Sequence, residues 1–404
     1  MLNGLIYLDN AATSWPKPPE VAGAMTRFLA DKAGNPGRGG HRLSRDAGDV
    51  VEHARDRLAA LINAPCPRRV VLTHGCTDSL NLAIHGVLRG ALRGKCADKP
   101  HVVVTTIEHN AVLRTAHCYD ADRVIDLTVV PCDEVGRVDP ERVAGACNER
   151  TLLVCVSHAS NAVGTIQDVR AIGRRVREVS PRALMLVDAA QTAGHLPIDV
   201  QADEIDLLAI AGHKGLRGPT GTGALYVGRR AYSDDRADER VFCERRGGTG
   251  MRGVGLEMPT ELPDALEAGT SNAVGFAGLL AAMDAPRAGA HEREMALTAR
   301  LLAGLAQIAG VRLFGLPTIA GRTPVVLFNI EGWNAREAGA ELDRRWSICV
   351  RGGVHCAPLL HQTLTTGEEG AVRASPGGDN TEADIDALLE AVEILAKSPV
   401  TQSA

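Results

Sequence analysis

The sequence predicts an α/β fold: a large unit with a mostly parallel, seven-stranded sheet between helices, then a smaller C-terminal α/β unit. Three observations carry this expectation. Apolar runs of strand length alternate with helical patterns through most of the chain, as in a parallel sheet covered on both faces. The polar residues with chemical promise each follow a strand, where open α/β sheets place their functional loops. A polar, Gly-rich stretch over residues 233–270 then precedes a change of pattern near residue 290.

The first residues, Met1–Asp9, read as a short strand. Strands of the sheet are expected at Arg69–Thr73, His101–Thr105, Val124–Val130, Leu152–Ser157, Ala183–Val187, Leu207–Ala211 and Gly223–Val227. Helices fit at Ser44–Ile62, Thr77–Leu88, Asn110–Tyr119 and Asp168–Val179. Helices over Asn272–Met283 and His291–Ile308 come next. The smaller unit then reads as strand Thr323–Ile330, helix Ala335–Arg345, strands Ile348–Arg351 and Ala371–Ala374, and helix Thr381–Ala396.

An apolar fraction of 45% and a net charge of −5 describe an ordinary globular chain with no basic footprint for nucleic acid or an anionic membrane. No apolar run is long enough to span a bilayer, and the N-terminus lacks a basic region followed by a cleavage site; a cytoplasmic location is expected. The 10 cysteines form no Cys-x-x-Cys pair, so zinc and redox-dithiol sites are not indicated and reduced, mostly buried thiols are expected.

The apolar run Ala183–Val187 leads into Asp188 and Gln191, and Lys214 lies in the Gly-rich turn Gly212-His213-Lys214-Gly215. A primary amine and a strand-end carboxylate suit pyridoxal phosphate, which is held covalently by the amine and kept protonated at its ring nitrogen by the acid. Either residue alone reads equally as a surface lysine or a capping acid. Gly75-Cys76-Thr77-Asp78-Ser79 opens a helix after a strand, which suits an anion or a simple N-cap, and His213 is a second anion candidate. His109 is suited to stack on a flat ring and move protons, or to cap a helix. Asn161 and Gln191 can donate to a phenolic oxygen, or bond their own turns. In Arg351-Gly352-Gly353-Val354-His355-Cys356-Ala357 a thiol lies near cationic groups, the setting of a nucleophilic cysteine. Arg373 offers a fork for a carboxylate.

With these residues in place, the chain resembles the class V aminotransferase family of fold-type I pyridoxal phosphate enzymes. Within it, the chain is most similar to cysteine desulfurases with an Arg-x-Gly-x-His-Cys-Ala loop. The likeness extends from Tyr7-Leu8-Asp9-Asn10-Ala11-Ala12-Thr13, through Asn35–His41 and Gly269-Thr270-Ser271-Asn272, to Arg373-Ala374-Ser375 and Asn380-Thr381. It implies three segments: residues 1–20 associating with the small domain, a cofactor domain over 21–290, and a small domain over 291–404 carrying the cysteine loop. It also implies Lys214 as the cofactor lysine, Asp188 at the ring nitrogen, His109 on the ring and Asn161 and Gln191 at its phenolic oxygen. Thr77 and His213 would hold the phosphate, with Thr249 reaching it from the neighbouring subunit of a homodimer, and Cys76 would be among the cofactor-binding residues. Arg373, Asn10 and Ala11 would bind L-cysteine, and Cys356 would take its sulfur as a persulfide, releasing L-alanine and passing sulfur to an acceptor protein. Selenocysteine lyase activity, and an aminotransferase or C–S lyase in which Cys356 is incidental, are the alternatives. Two departures stand out: Ala211 replaces a serine expected near the phosphate, and Pro376-Gly377-Gly378-Asp379 replaces an aromatic beside Asn380.

Overall fold

A computed structural model describes residues 4–37, 39–93, 99–233, 240–243, 245–250 and 256–398; Arg38 and Cys96 lie outside these. The first part of the chain runs β1 (Ile6–Tyr7), α1 (Pro19–Asp31), α2 (Arg42–Leu61), β2 (Val70–Thr73), α3 (Cys76–Arg93), β3 (His101–Thr105), α4 (Asn110–Ala121) and β4 (Asp126–Val130). It continues with α5 (Pro140–Ala146), β5 (Thr151–Ser157), α6 (Val169–Val179), β6 (Leu184–Asp188), β7 (Leu207–Ala211) and β8 (Gly223–Val227). Then come α7 (Ala273–Asp284), α8 (Ala290–Leu305), β9 (Val311–Phe314), β10 (Val326–Ile330), α9 (Ala335–Trp346), β11 (Ile348–Cys349), β12 (Arg351–Gly353), α10 (Pro358–Thr363), β13 (Ala371–Ala374) and α11 (Glu382–Ala396).

The large sheet has the order β2-β8-β7-β6-β5-β3-β4, and only β8 runs against its neighbours. This is the expected mostly parallel sheet. Its strands are apolar throughout because both faces are covered, and alternate side chains enter different cores. Val102, Val104, Leu153 and Leu186 join one core with α3 and α4. Val103, Val154, Val156 and Val187 join the other with α2, α6 and α7. Six strand ends therefore open on the same edge, which is where the site forms.

A third core gathers Leu297 and Leu301 of α8, Phe328 of β10, Leu342 of α9 and Leu388 of α11. Its antiparallel sheet has the order β12-β13-β10-β9. Leu8 belongs to this core, and β1 pairs in parallel with β11 through Ile6 opposite Ile348. Phe314 and Leu327 pack instead into the core beneath β5, so apolar contact is continuous across the junction.

Four features differ from expectation, the first being strand β9, which goes beyond it and pairs antiparallel with β10. The single strand expected at Ile348–Arg351 is two: β11 pairs with β1, while β12 pairs with β13. Gly352 makes the second possible, since a Cβ there would lie 2.1 Å from the Ala335 carbonyl oxygen. Helices α1, α5 and α10 go beyond the sequence-based expectation; each opens on a proline, a breaker in a helix interior but suited to a first turn. The cysteines are less buried than expected: among the described ones only Cys132, Cys147 and Cys155 are buried, and Cys118 is exposed. No described helix is long and apolar enough to cross a membrane.

Candidate active site

A cavity of about 730 Å³ opens at the carboxyl edge of the large sheet. It brings together Lys214, Asp188, His109, Asn161, Gln191 and His213. The start of α3 adds Cys76 and Thr77, and Ala11 and Arg373 arrive from the ends of the chain. Arg351 and His355 line it from the cysteine loop.

Lys214 follows β7. Burial pushes its pKa down, with Arg373 and Arg351 adding to the effect and Asp188 opposing it. Among the described residues its amine has no hydrogen bond or ion pair, so it is free to act as a nucleophile or base. Asp188 ends β6 and is buried. Its Oδ1 accepts from the Ala190 amide at 2.9 Å and from the Cys76 thiol at 3.2 Å, while Oδ2 has no partner among the described residues.

The anion site combines two kinds of unused donor. Cys76, Thr77 and Asp78 form the first turn of α3, where N–H groups have no acceptor within the helix. Nδ1 of His213 is buried without a partner. Burial, then Lys214 and Lys17, push the His213 pKa down to about 4, so the ring is neutral near pH 7. Ala211 presents only a methyl group to the cavity, but Thr220 also lines it with a hydroxyl. An unpaired amine, a half-used buried carboxylate and an orphaned imidazole nitrogen beside a helix start fit pyridoxal phosphate.

His109 caps a helix, one of the two uses expected of it, and stands at the cavity as well. Its Nδ1 caps α4 by accepting from the Ala111 amide at 3.0 Å, and the ring still lines the cavity. Burial lowers its pKa, with Asp188 opposing. Asn161 and Gln191 each spend an amide hydrogen on a distant segment. Asn161 donates to the His355 carbonyl at 2.6 Å, and Gln191 donates to the Ala11 carbonyl at 2.9 Å.

The cysteine loop is sharply bent: His355 and Cys356 have φ of 50° and 58° in succession, a left-handed conformation that costs free energy in non-glycine residues. Several contacts hold it, besides the Asn161 amide on the His355 carbonyl. His355 Nε2 donates to the Arg351 carbonyl at 2.9 Å, its Nδ1 shares a hydrogen bond with His361 Nε2 at 3.1 Å, and the ring is buried. It therefore anchors the loop rather than serving the thiol. The Cys356 carbonyl accepts from the Asn110 amide at 2.7 Å. Arg351 Nη2 lies 3.7 Å from Cys356 Sγ, the cation expected near the thiol.

Arg373 is 1% exposed and already partly engaged: Nη1 donates to the Asn161 carbonyl at 2.8 Å, and Nη2 pairs with Asp9. Its Nε is buried without a partner. Asn10 lines a smaller adjoining pocket, where its amide donates to the Ser375 carbonyl at 3.0 Å and its oxygen accepts the Trp15 amide. The segment that replaces the expected aromatic lines this pocket too, with Asp379 paired to Arg217 at 2.8 Å. Thr249 is not at the cavity; it shares a separate groove of about 400 Å³ with Thr270 and Ser271.

Two participants escape sequence reasoning. Asp9 reaches Arg373, and Lys17 donates to the His213 carbonyl at 2.8 Å, its pKa pushed down to about 8 by burial and Arg217. Asp9 sits in the opening motif, but nothing local to either residue signals a partner so far along the chain.

The family model for class V aminotransferases matches residues 6–388. The chain is 38% identical to a probable cysteine desulfurase of Methanothermobacter thermautotrophicus, covering 98% of this chain and 96% of that one. It is 34% identical to the cysteine desulfurase IscS of Shewanella baltica, covering 97% and 92%. Among solved structures it is similar to the apo cysteine desulfurase of Thermococcus onnurineus, with a TM-score of 0.88 and 32% identity over 98% of this chain and 95% of that one. The cysteine desulfurase CsdA of Escherichia coli gives 0.85 and 28%, over 99% and 96%. With the match spanning both units and the whole cavity, the chain belongs to the class V aminotransferase family.

Proposed function

We propose that this chain is a pyridoxal phosphate-dependent cysteine desulfurase. The observation that carries the reading is the strained loop of Cys356, pinned through the Cys356 carbonyl to the start of α4. Arg351 and His355 of this loop line the cavity that holds Lys214 and Asp188; Cys356 itself is not among the lining residues. Bound pyridoxal phosphate supplies an electron sink for the substrate's α-carbon. Asp188, through Oδ2, and Lys214 would hold it, with His213, Thr77 and the first turn of α3 at its phosphate. Arg373 binds the α-carboxylate of L-cysteine with its remaining donors. Lys214, its amine made less basic by burial, or His109 moves the α-proton. The Cys356 thiolate attacks the substrate sulfur: an S–S bond forms, the C–S bond breaks, and its electron pair stays on the substrate carbon, which is protonated. The sum is Cys356–SH plus L-cysteine giving Cys356–SSH plus L-alanine. An acceptor protein or a small thiol then takes the sulfur.

The enzyme works as a cytoplasmic homodimer in this reading. Thr249 shares a groove with Thr270 and Ser271 away from this chain's own cavity, an arrangement in keeping with hydroxyls that would serve a partner subunit's phosphate. Mass spectrometry after incubation with L-cysteine tests the reaction. A gain of about 32 Da on the Cys356 peptide, with alanine release lost in Cys356→Ala, is expected. Undiminished alanine release from L-cysteine in that variant would overturn the persulfide step.

A further inference from the structure

Among the described residues the cysteine that lines the cavity is Cys76, and its duty differs from that proposed for Cys356. Cys76 donates to Asp188 Oδ1 at 3.2 Å, on the same oxygen that accepts the Ala190 amide. The turn before it is tightly fixed. Gly75 has φ of 151°, and a Cβ on Gly223 of β8 would fall 2.6 Å from the Gly75 Cα, so the two backbones are in direct contact. Cys76 is thus the first residue of a helix whose start cannot shift sideways, aimed at the acid that ends β6.

We propose that Cys76 is a positioning residue for Asp188: its S–H and the Ala190 amide together commit Oδ1, fixing the carboxylate with Oδ2 presented to the cavity. The inference rests on the pyridoxal phosphate reading above. Burial, then Asp188, push the Cys76 pKa well above the usual thiol range, with Lys214 opposing, so the group stays an S–H donor near neutral pH. A thiol held protonated is a poor nucleophile, which separates its duty from that of Cys356. The other titratable and charged groups around Asp188 are Lys214, His109, Glu108 and Cys155. Arg351 and Arg373 complete the set through Lys214. None of these hydrogen-bonds Asp188; among side chains, Cys76 alone does so within the described residues.

The test is a pH titration of the visible absorption band of the protein reconstituted with pyridoxal phosphate. Wild type, Cys76→Ala and Cys76→Ser are compared. The alanine variant is expected to move the titration midpoint by about half a pH unit or more, because a lost hydrogen bond to a charged group alters the field at the ring. Serine keeps a donor and is expected to restore the midpoint to within about 0.2 unit. The midpoint does not depend on how much of the sample is loaded, so weaker cofactor binding does not blur the comparison. Loading that fails in Cys76→Ala but persists in Cys76→Ser with the wild-type midpoint also supports the proposal. It is overturned if alanine titrates like wild type, if serine shifts as far as alanine, or if neither variant loads. A wild-type protein that develops no visible band overturns the cofactor reading itself, which is a different result from a band that does not move.

Discussion

The Asn110 amide and the Cys356 carbonyl are 2.7 Å apart, so the first residue of α4 holds the residue proposed as nucleophile by its backbone. His109, one position earlier, caps the same helix and lines the cavity. The thiol loop and the cavity-lining imidazole are therefore positioned by one helix start. Asn161 adds a second grip, on the His355 carbonyl.

Asn161→Ala releases that second grip. The loop keeps its Asn110 bond but loses about 1 kcal/mol of restraint, the net value of a typical hydrogen bond. Steady-state alanine release is expected to fall by about fivefold at saturating cofactor. An unchanged rate would show that the loop does not depend on Asn161.

Asp9→Ala removes the counter-charge of a guanidinium that is 1% exposed. Breaking such a pair costs about 3 kcal/mol, because the remaining charge stays buried. Urea unfolding is expected to show a loss of that order, with a raised KM for L-cysteine as Arg373 loses its orientation. A stability within about 0.5 kcal/mol of wild type would contradict the role assigned to the pair.

Glu108 makes stability fall as pH rises. Burial pushes its pKa up to about 8, against the opposing hydrogen bonds from Thr105 and Ser157. The folded state holds a proton that the unfolded chain releases near pH 4.5. Its contribution is complete below that point and is lost as pH rises toward about 8, at up to about 1.4 kcal/mol per unit. In Glu108→Gln, which keeps the hydrogen-bonding shape, the dependence over this window should flatten in thermal melts. A variant as pH-sensitive as wild type would remove Glu108 as the cause.

Histidines 158 and 361 act in the opposite direction. Burial pushes both pKa values down to about 4, with Arg373 adding to the effect at His361. Their contribution is present above the unfolded value of 6.5 and is lost as pH falls toward about 4. Urea midpoints should drop between pH 6.5 and 4, and His158→Asn should lessen the drop. If it does not, the acid lability has another source.

The strands of the large sheet were legible because burial on both faces makes them continuous apolar runs, as in Leu184–Val187 and Leu207–Ala211. Lys214, Asp188 and Arg373 could be singled out because each follows or occupies such a run. The uses of Asn161 and Gln191 were not legible. Their partners, His355 and Ala11, are separated from them by 194 and 180 residues, and an amide's chemistry does not name its acceptor. The split between β11 and β12 was hidden for a related reason: adjacent residues serve different sheets, and local pattern carries no trace of which neighbour each will meet.

The pairing of β1 with β11 has a consequence for synthesis. Residues 6–9 leave the ribosome long before their partners exist; Asp9 precedes Arg373 by 364 positions. The large sheet can fold while the chain is still being made, but the N-terminal strap has nowhere to dock until β11 and β13 emerge. Closure of the cavity is therefore among the last events in the molecule's making, and a ribosome-bound fragment lacking its final segments carries Lys214 without the residues that complete the cavity around it.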